Sequence, residues 1–228
     1  MLYLFLLAHL VADFMLQPLW LVLRKRRWDG LLIHVGIVVV CMLPIPLLVP
    51  TQPNIWWAIA WIGAVHFCAD WWKVNLGDKL MRTPLQGFIL DQVIHVATLI
   101  ATLGMALPAE QVWSLAHIPF ADLVIVASAL IIAAFATPVG VIVGMDPCFQ
   151  HAALAGKART RSMFSAACAF MLALIAGPLA APLTLFGFAA VSYRPASPHP
   201  LDRPTGAFVV LSVAASLGAV LAMLVMGG

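Results

Sequence analysis

Long runs of apolar residues dominate this chain and restrict it to one class of fold. A helix needs about 20 apolar residues to cross a hydrocarbon core of about 30 Å. Runs of about this length or longer cover residues 2–23, 31–49, 55–74, 85–107, 119–143, 162–193 and 205–226. Of the 228 residues, 64% are hydrophobic and 9% are charged, whereas soluble domains carry about 25% charged residues. The sequence therefore predicts an all-α, polytopic transmembrane helix bundle of about seven spans.

The distribution of lysine and arginine predicts one orientation of this bundle. Basic residues gather in the loops at 24–29, 75–84 and 144–161, whereas the loop at 51–54 carries no charge. Because cytoplasmic loops are enriched in lysine and arginine, these three basic loops are expected in the cytoplasm and the N-terminus outside. The net charge of +3 is small, and no basic face points to nucleic acid as a partner.

The segment 162–193 is too long for a single straight span and leaves two interpretations open. Gly177, Pro178 and Pro182 interrupt it near the middle. It is either one kinked helix or two half-helices that form a re-entrant hairpin. Basic residues in the following loop favour the hairpin, because they would return that loop to the cytoplasm.

Polar residues divide the chain into two halves of a single membrane domain. Residues 1–107 form a four-helix half made of two hairpins, and this half contains an ordered set of intramembrane polar side chains. Residues 108–228 form a C-terminal transmembrane half with few of them. Each ionisable residue inside a bilayer costs about 2.5–3.5 kcal/mol on insertion scales, so such a set points to function.

The intramembrane polar residues follow helical spacing. One stripe of the first segment carries His9, Asp13 and Gln17 at intervals of four. The third segment carries His66, Asp70 and Lys73 at intervals of four and three, and the fourth carries Asp91, Gln92 and His95, with Asp91 and His95 one turn apart. His34 lies near the start of the second segment. Counted from the nearest loops, the positions that lie towards the cytoplasmic side are Gln17, His34, Asp70, Lys73 and Asp91.

Imidazole and carboxylate groups in this pattern suit a divalent metal such as zinc, iron or manganese. The candidate metal ligands are His9, Asp13, His66, Asp70, Asp91 and His95. The candidate substrate contacts are Gln17, His34, Lys73 and Gln92. A bound metal would activate water, so the leading hypothesis is a cytoplasm-facing site that hydrolyses a lipid or a phosphorylated amphiphile.

Other functions fit the same residues, and the sequence alone leaves open whether the chain is an enzyme. The polar set could hold the helices together in a non-enzymatic subunit, whose apolar faces would contact the lipid bilayer and other membrane subunits. It could also form a proton or ion pathway. Axial ligation of haem by histidines is a further reading, but the neighbouring carboxylates fit it poorly.

The stretches HLVADFMLQ at 9–17, HFCADWWK at 66–73 and DQVIH at 91–95, together with His34, resemble an uncharacterised bacterial membrane family, domain-of-unknown-function family 3307. The resemblance implies a multi-pass protein of the bacterial inner membrane and brings no established activity. The family tends to show a Gly-x-Leu-Glu-Arg-like stretch where this chain has Arg161-Ser162-Met163-Phe164. The histidine and aspartate pattern is also similar in style to a family of membrane-bound metal-dependent hydrolases.

Overall fold

The computed structural model confirms that the chain is all-helical. It describes residues 1–48, 54–77, 80–116, 118, 120–146, 154, 156–192 and 197–226, and no strand occurs within these ranges. The helices are α1 (Leu2–Leu10), α2 (Leu19–Arg24), α3 (Trp28–Met42), α4 (Ile45–Leu48), α5 (Asn54–Trp72), α6 (Pro84–Ala106), α7 (Ala109–Trp113), α8 (Ala121–Ile131), α9 (Thr137–Met145), α10 (Lys157–Ala176), α11 (Ala181–Ser192) and α12 (Pro204–Met226). Short π-helical turns extend three of them, at Val11–Met15, Lys73–Gly77 and Ile132–Ala136.

Five helices of the described residues are long and apolar enough to cross a membrane. They are Trp28–Leu48, Pro84–Ala106, Ala121–Met145, Lys157–Ala176 and Pro204–Leu224. Large apolar side chains on the outer surface, such as Leu32 and Phe186, are more than half exposed, as expected where helices contact lipid. The membrane class is therefore supported, whereas the count of seven spans and the direction of insertion stay predictions.

The first predicted segment, residues 2–23, is not one continuous helix. After the π-helical turn at Val11–Met15 the chain leaves helical geometry, and Pro18 adopts an extended backbone (φ −67°, ψ 160°) before α2 begins. Proline has no backbone N–H and clashes with the preceding turn, so a helix rarely continues through it. The break separates α1 from the basic residues that follow α2.

The chain forms two compact units, Met1–Ser128 and Ala129–Gly228. In the first unit, α1 packs against α3 and α6, α3 against α5, and α5 against α6. An apolar core fills one end of this unit, where the starts of α1 and α5 meet the ends of α3 and α6. Phe5, Val38, Ile55 and Leu103 are completely buried there. The polar residues lie further along the same helices.

Helices α3 and α5 approach each other closely at Gly63. A Cβ atom on this residue would lie 2.9 Å from a methyl carbon of Val39, which is closer than side-chain carbons pack in protein interiors. The absence of a side chain therefore lets the two helices come together. His34 and His66 lie on these helices, one turn or so beyond the contact.

The second unit is built on α10 and α12, with α11 packed against both. The chain stops being helical at Gly177, whose φ of 78° favours glycine, and resumes through a 3₁₀ turn at Pro178–Ala180. The segment 162–193 is thus not one kinked helix, although residue 193 lies outside the described residues. Helix α11 has 12 residues, or about 18 Å, too short to cross a bilayer. Whether it re-enters the membrane stays a prediction.

Candidate metal centre

Four helices of the first unit deliver the predicted polar residues to one buried cluster. His9 comes from α1, and Asp13 comes from the π-helical turn that follows it. The other members are His34 on α3, His66 and Asp70 on α5, and Asp91 and His95 on α6. Except for Asp13, whose side chain is 7% exposed, all are buried to 3% exposure or less. The sequence hypothesis of a shared site is consistent with this placement.

Two histidines form the centre of the cluster. The Nε2 atoms of His34 and His66 lie 3.0 Å apart. Asp13 Oδ1 lies 3.3 Å from the first and 3.6 Å from the second. Asp70 Oδ2 lies 3.3 Å and 3.7 Å from the same two atoms. Two imidazole nitrogens are therefore flanked by one oxygen from each of two carboxylates.

These separations fit the ligand shell of one metal ion. Ligand bonds of about 2.0–2.2 Å in tetrahedral geometry separate the ligand atoms by about 3.3–3.6 Å. The distances of 3.0–3.7 Å around His34 and His66 bracket this range. Triads whose ligand atoms lie within 4.8 Å of one another include His9, Asp13 and His66; His34, His66 and Asp70; and Asp70, Asp91 and His95.

Gln17 contacts both nitrogens of the His34 ring, with its Nε2 3.5 Å from His34 Nε2 and closer to Nδ1. Its Nε2 lies 3.2 Å from His34 Nδ1. A side-chain amide can present either its nitrogen or its oxygen after a half-turn, so it can accept from or donate to this ring. A group in this position can fix which imidazole nitrogen carries the proton, as the outer partners of metal-binding histidines do.

Lys25 is a member of the cluster that sequence reasoning missed. Its Nζ lies 2.8 Å from Asp70 Oδ2, and its side chain is only 10% exposed. The basic run 24–27 indicates the orientation of the chain in the membrane, so its side chains are expected to lie in solvent. The one signal in the sequence is that Lys25 is a lysine among arginines, which is too weak to identify a buried residue.

A second ion pair lies at the edge formed by α5 and α6. Lys73 Nζ lies 2.6 Å from Asp91 Oδ2, and Gln92 donates to the same oxygen at 3.1 Å. Lys73 was predicted as a substrate contact, but it pairs with Asp91, although its side chain remains 34% exposed. Gln92 likewise contacts a neighbouring carboxylate.

The four histidine rings of the cluster form a continuous contact series. Ring centroids are 5.0 Å apart for His34 and His66 and 4.0 Å apart for His66 and His95. His9 completes the series at 5.2 Å from His95. His95 Nδ1 lies 2.7 Å from the backbone oxygen of Asp91. Since a carbonyl oxygen only accepts, this nitrogen donates and carries the proton.

The charges of the cluster do not balance. It contains three carboxylates, on Asp13, Asp70 and Asp91, and two ammonium groups, which pair with Asp70 and Asp91. Asp13 faces only histidines among its ion-pair partners in the described residues. A buried carboxylate without a compensating cation is strongly unfavourable. The centre therefore requires either an additional proton, on an imidazole or on the carboxyl group, or a bound cation.

The comparison with known protein families covers every residue of this cluster. The sequence model of the family described as "Protein of unknown function (DUF3307)" matches residues 1–136, which include α1 to α8. No curated protein matches the chain, and no solved structure does so either. Since the match extends over more than half of the 228 residues, the chain belongs to the DUF3307 family.

Proposed function

We propose that the buried histidine and aspartate cluster binds a divalent metal ion and uses it to hydrolyse a lipid or a phosphorylated amphiphile. One observation carries this proposal: His34 Nε2 and His66 Nε2 lie 3.0 Å apart beside an uncompensated carboxylate, Asp13. Two neutral imidazole lone pairs and a carboxylate are a common ligand set of zinc, iron and manganese. An ion at this position would also neutralise Asp13.

The expected ligands are His34, His66 and Asp13, with Asp70 as a fourth. His34 was predicted as a substrate contact, and the distances favour it instead as a ligand. Gln17 would then turn its amide oxygen towards His34 and accept a hydrogen bond from the Nδ1–H group. This keeps the proton on Nδ1 and leaves Nε2 free for the metal. Lys25 would hold Asp70 in place through the other lone pair of Oδ2.

Hydrolysis is the reaction that such an ion supports in a site buried among membrane helices. A metal lowers the pKa of a bound water, so that the water loses a proton to a nearby base at neutral pH. The hydroxide oxygen would attack the phosphorus or carbonyl carbon, the bond from that atom to the alcohol oxygen would break, and the base would return the proton to that oxygen. Lys25 belongs to the basic run 24–27, so the predicted cytoplasmic location of that run would make the site open to the cytoplasm.

Metal analysis of the protein purified in detergent tests this function. Inductively coupled plasma mass spectrometry should find at least one equivalent of zinc, iron or manganese in the wild type. We expect this metal to be lost in His34→Ala/His66→Ala. Asp13→Asn keeps the shape of the side chain but removes its charge, so it should lose the metal while remaining monodisperse. Asp122→Asn and His199→Ala, which alter the same residue types outside the cluster, should retain it. Wild-type protein without metal, even after incubation with each ion, would exclude the proposal.

Activity requires a second measurement on the metal-loaded protein. Dodecyl phosphate is a suitable phosphorylated amphiphile, and the release of inorganic phosphate is the readout. We expect release by the wild type and not by Asp13→Asn. Metal binding without turnover of either a phosphate or an ester amphiphile would retain the metal site and reject the hydrolase.

A structural role is the alternative that a specific observation favours. The pairs Lys25–Asp70 and Lys73–Asp91 each join residues from different parts of the chain, and such contacts hold membrane helices together without any ligand. This alternative predicts no metal in the wild type, together with reduced stability of His34→Ala/His66→Ala. The metal analysis therefore separates the two functions.

A further inference from the structure

Buried polar atoms without a partner are concentrated in this cluster. In the part of the chain that the structure describes, six side-chain nitrogen or oxygen atoms are buried and form no hydrogen bond, and four of them belong to the cluster. These four are His9 Nε2, Asp13 Oδ1, Asp91 Oδ1 and His95 Nε2. A metal at His34 and His66 would bind Asp13 Oδ1 and leave the other three without a partner.

His95 presents a lone pair to the interior. Its Nδ1 donates to the Asp91 backbone oxygen at 2.7 Å, so in the neutral ring Nε2 has no proton and can only accept. Nothing in the described residues donates to it. An unsatisfied acceptor at 3% exposure is unfavourable, so a cation or a proton donor is expected at this position.

The ring of His9 lies at the right distance to share an ion with His95. Two imidazoles bound to one tetrahedral ion through nitrogens about 2.0–2.1 Å away have centroids about 5 Å apart. The centroids of His9 and His95 are 5.2 Å apart, close to the 5.0 Å of His34 and His66. The cluster thus contains two histidine pairs with similar centroid distances, and their ring planes are inclined by 24° in the first pair and by 45° in the second.

The carboxylate of Asp13 lies between the two pairs. Its Oδ1 faces His34 and His66 at 3.3 and 3.6 Å, whereas its Oδ2 faces His9 Nε2 at 3.9 Å. One carboxylate can bind two ions through its two oxygens, and ions in two-metal hydrolytic centres lie about 3.5–4 Å apart. Asp91 Oδ1 has no partner and lies 3.6 Å from the protonated Nδ1 of His95, so rotation of the Asp91 side chain would bring this oxygen to the second position.

We propose that the cluster is a two-metal centre, in which His9, His95 and Asp91 hold a second divalent ion and Asp13 bridges the two. This inference rests on the proposed function, since it adds an ion beside the first one. It also narrows the substrate to a phosphoester, because two divalent ions exceed the single surplus negative charge of the cluster. A bridging hydroxide and an anionic phosphate group would offset the remaining positive charge, whereas a neutral carboxylic ester would not.

Manganese binding to the full-length protein in detergent tests the second position. Equilibrium dialysis of the wild type should reach two Mn²⁺ per chain, and its electron paramagnetic resonance spectrum should show exchange coupling between two ions. His95→Ala should bind one Mn²⁺ and lose the coupling. Thr98→Ala, on the same helix and one turn away, should retain both ions.

The outcomes separate this inference from the proposed function. Saturation of the wild type at one Mn²⁺ with an uncoupled spectrum overturns the second position and leaves the first. Failure to bind any ion overturns both. Should His95→Ala not fold, the stoichiometry and the coupling of the wild type decide the question alone. Two ions per chain, with phosphate released from dodecyl phosphate but no cleavage of a neutral octanoate ester, would support the whole inference.

Discussion

The ammonium group of Lys25 lies 2.8 Å from Asp70 Oδ2, and the two side chains are 10% and 3% exposed. Removing one partner of a buried ion pair leaves the other charge without compensation, which costs about 3–5 kcal/mol. We therefore expect Lys25→Met to reduce the free energy of unfolding by roughly this amount, measured by denaturant titration in detergent micelles.

Two variants control for the effect of a lysine-to-methionine change. Arg27 lies two residues away, with its side chain 76% exposed, and Arg27→Met should change stability by less than about 0.5 kcal/mol. Lys25→Met/Asp70→Asn removes both charges and should be more stable than Lys25→Met alone. Equal losses for Lys25→Met and Arg27→Met would show that the buried pair does not stabilise the fold.

A smaller effect is expected at Lys73, whose pairing with Asp91 is shorter but more accessible. Its side chain is 34% exposed, and Asp91 keeps the hydrogen bond from Gln92 when the lysine is removed. Lys73→Met should therefore reduce the free energy of unfolding by more than the roughly 1 kcal/mol expected for an exposed pair, but by less than Lys25→Met does. The same titration measures it, and a loss larger than that of Lys25→Met would contradict this ranking.

Much of the fold follows from composition and hydropathy, because a bilayer admits few architectures for an apolar chain. The all-helical class and the interruption at Gly177 are confirmed. The break at Pro18 was missed, since apolar residues continue on both sides of it and a proline in a membrane helix need not end the helix. The division into two compact units depends on packing between helices, which hydropathy does not encode.

The candidate site was partly predictable because i, i+4 spacing places polar residues on one helical face. The pairs His9/Asp13, His66/Asp70 and Asp91/His95 all follow this rule. The role of His34 depends on its distance from His66, a residue that lies 32 positions later. The close contact of α3 and α5 at Gly63 sets this distance. The burial of Lys25 and its pairing with Asp70 depend on the turn between α2 and α3, and no periodic pattern in the sequence predicts the path of that turn.

Gly218 offers a test of packing in the second unit. A Cβ atom at this position would overlap the backbone oxygen of Phe170 on α10, whereas one at Gly187 on α11 would meet nothing within 4 Å. Forcing extra atoms into a packed interior costs about 1–3 kcal/mol. Gly218→Ala should therefore lower the melting temperature, and Gly187→Ala should leave it unchanged or raise it. Equal melting temperatures would show that α10 and α12 do not pack this closely.

The carboxyl group of Asp202 should make stability depend on acidity. Burial raises its pKa, but hydrogen bonds from Arg161 at 2.8 Å and Ser197 at 2.7 Å outweigh burial and hold the pKa below the ordinary value. A lowered pKa stabilises the fold above the unfolded value of about 3.9, and this contribution disappears as the pH falls through the folded value.

Asp202→Asn should remove this dependence. At pH 7 we expect the variant to be less stable by about 1 kcal/mol, a modest value because Arg161 is 41% exposed. Unfolding measured between pH 3 and pH 7 should show the two proteins converging below about pH 4. A constant difference across this range would show that the ionised carboxylate is not what stabilises the wild type.

The π-helical turn at Val11–Met15 sets the direction in which Asp13 faces, because its i→i+5 hydrogen bond from Leu16 to Val11 holds one more residue than an α-helical turn. Asp13 lies inside this turn and His9 just before it. Each residue of an α-helix rotates the following side chains by about 100° and advances them by 1.5 Å. Deleting Val11 would move Asp13 by only about 1.5 Å along the helix axis, but would rotate its carboxylate by about 100° around the axis and away from His34 and His66. The direction in which Asp13 points around the axis of the first helix, rather than its depth along that axis, thus decides whether the cluster can form.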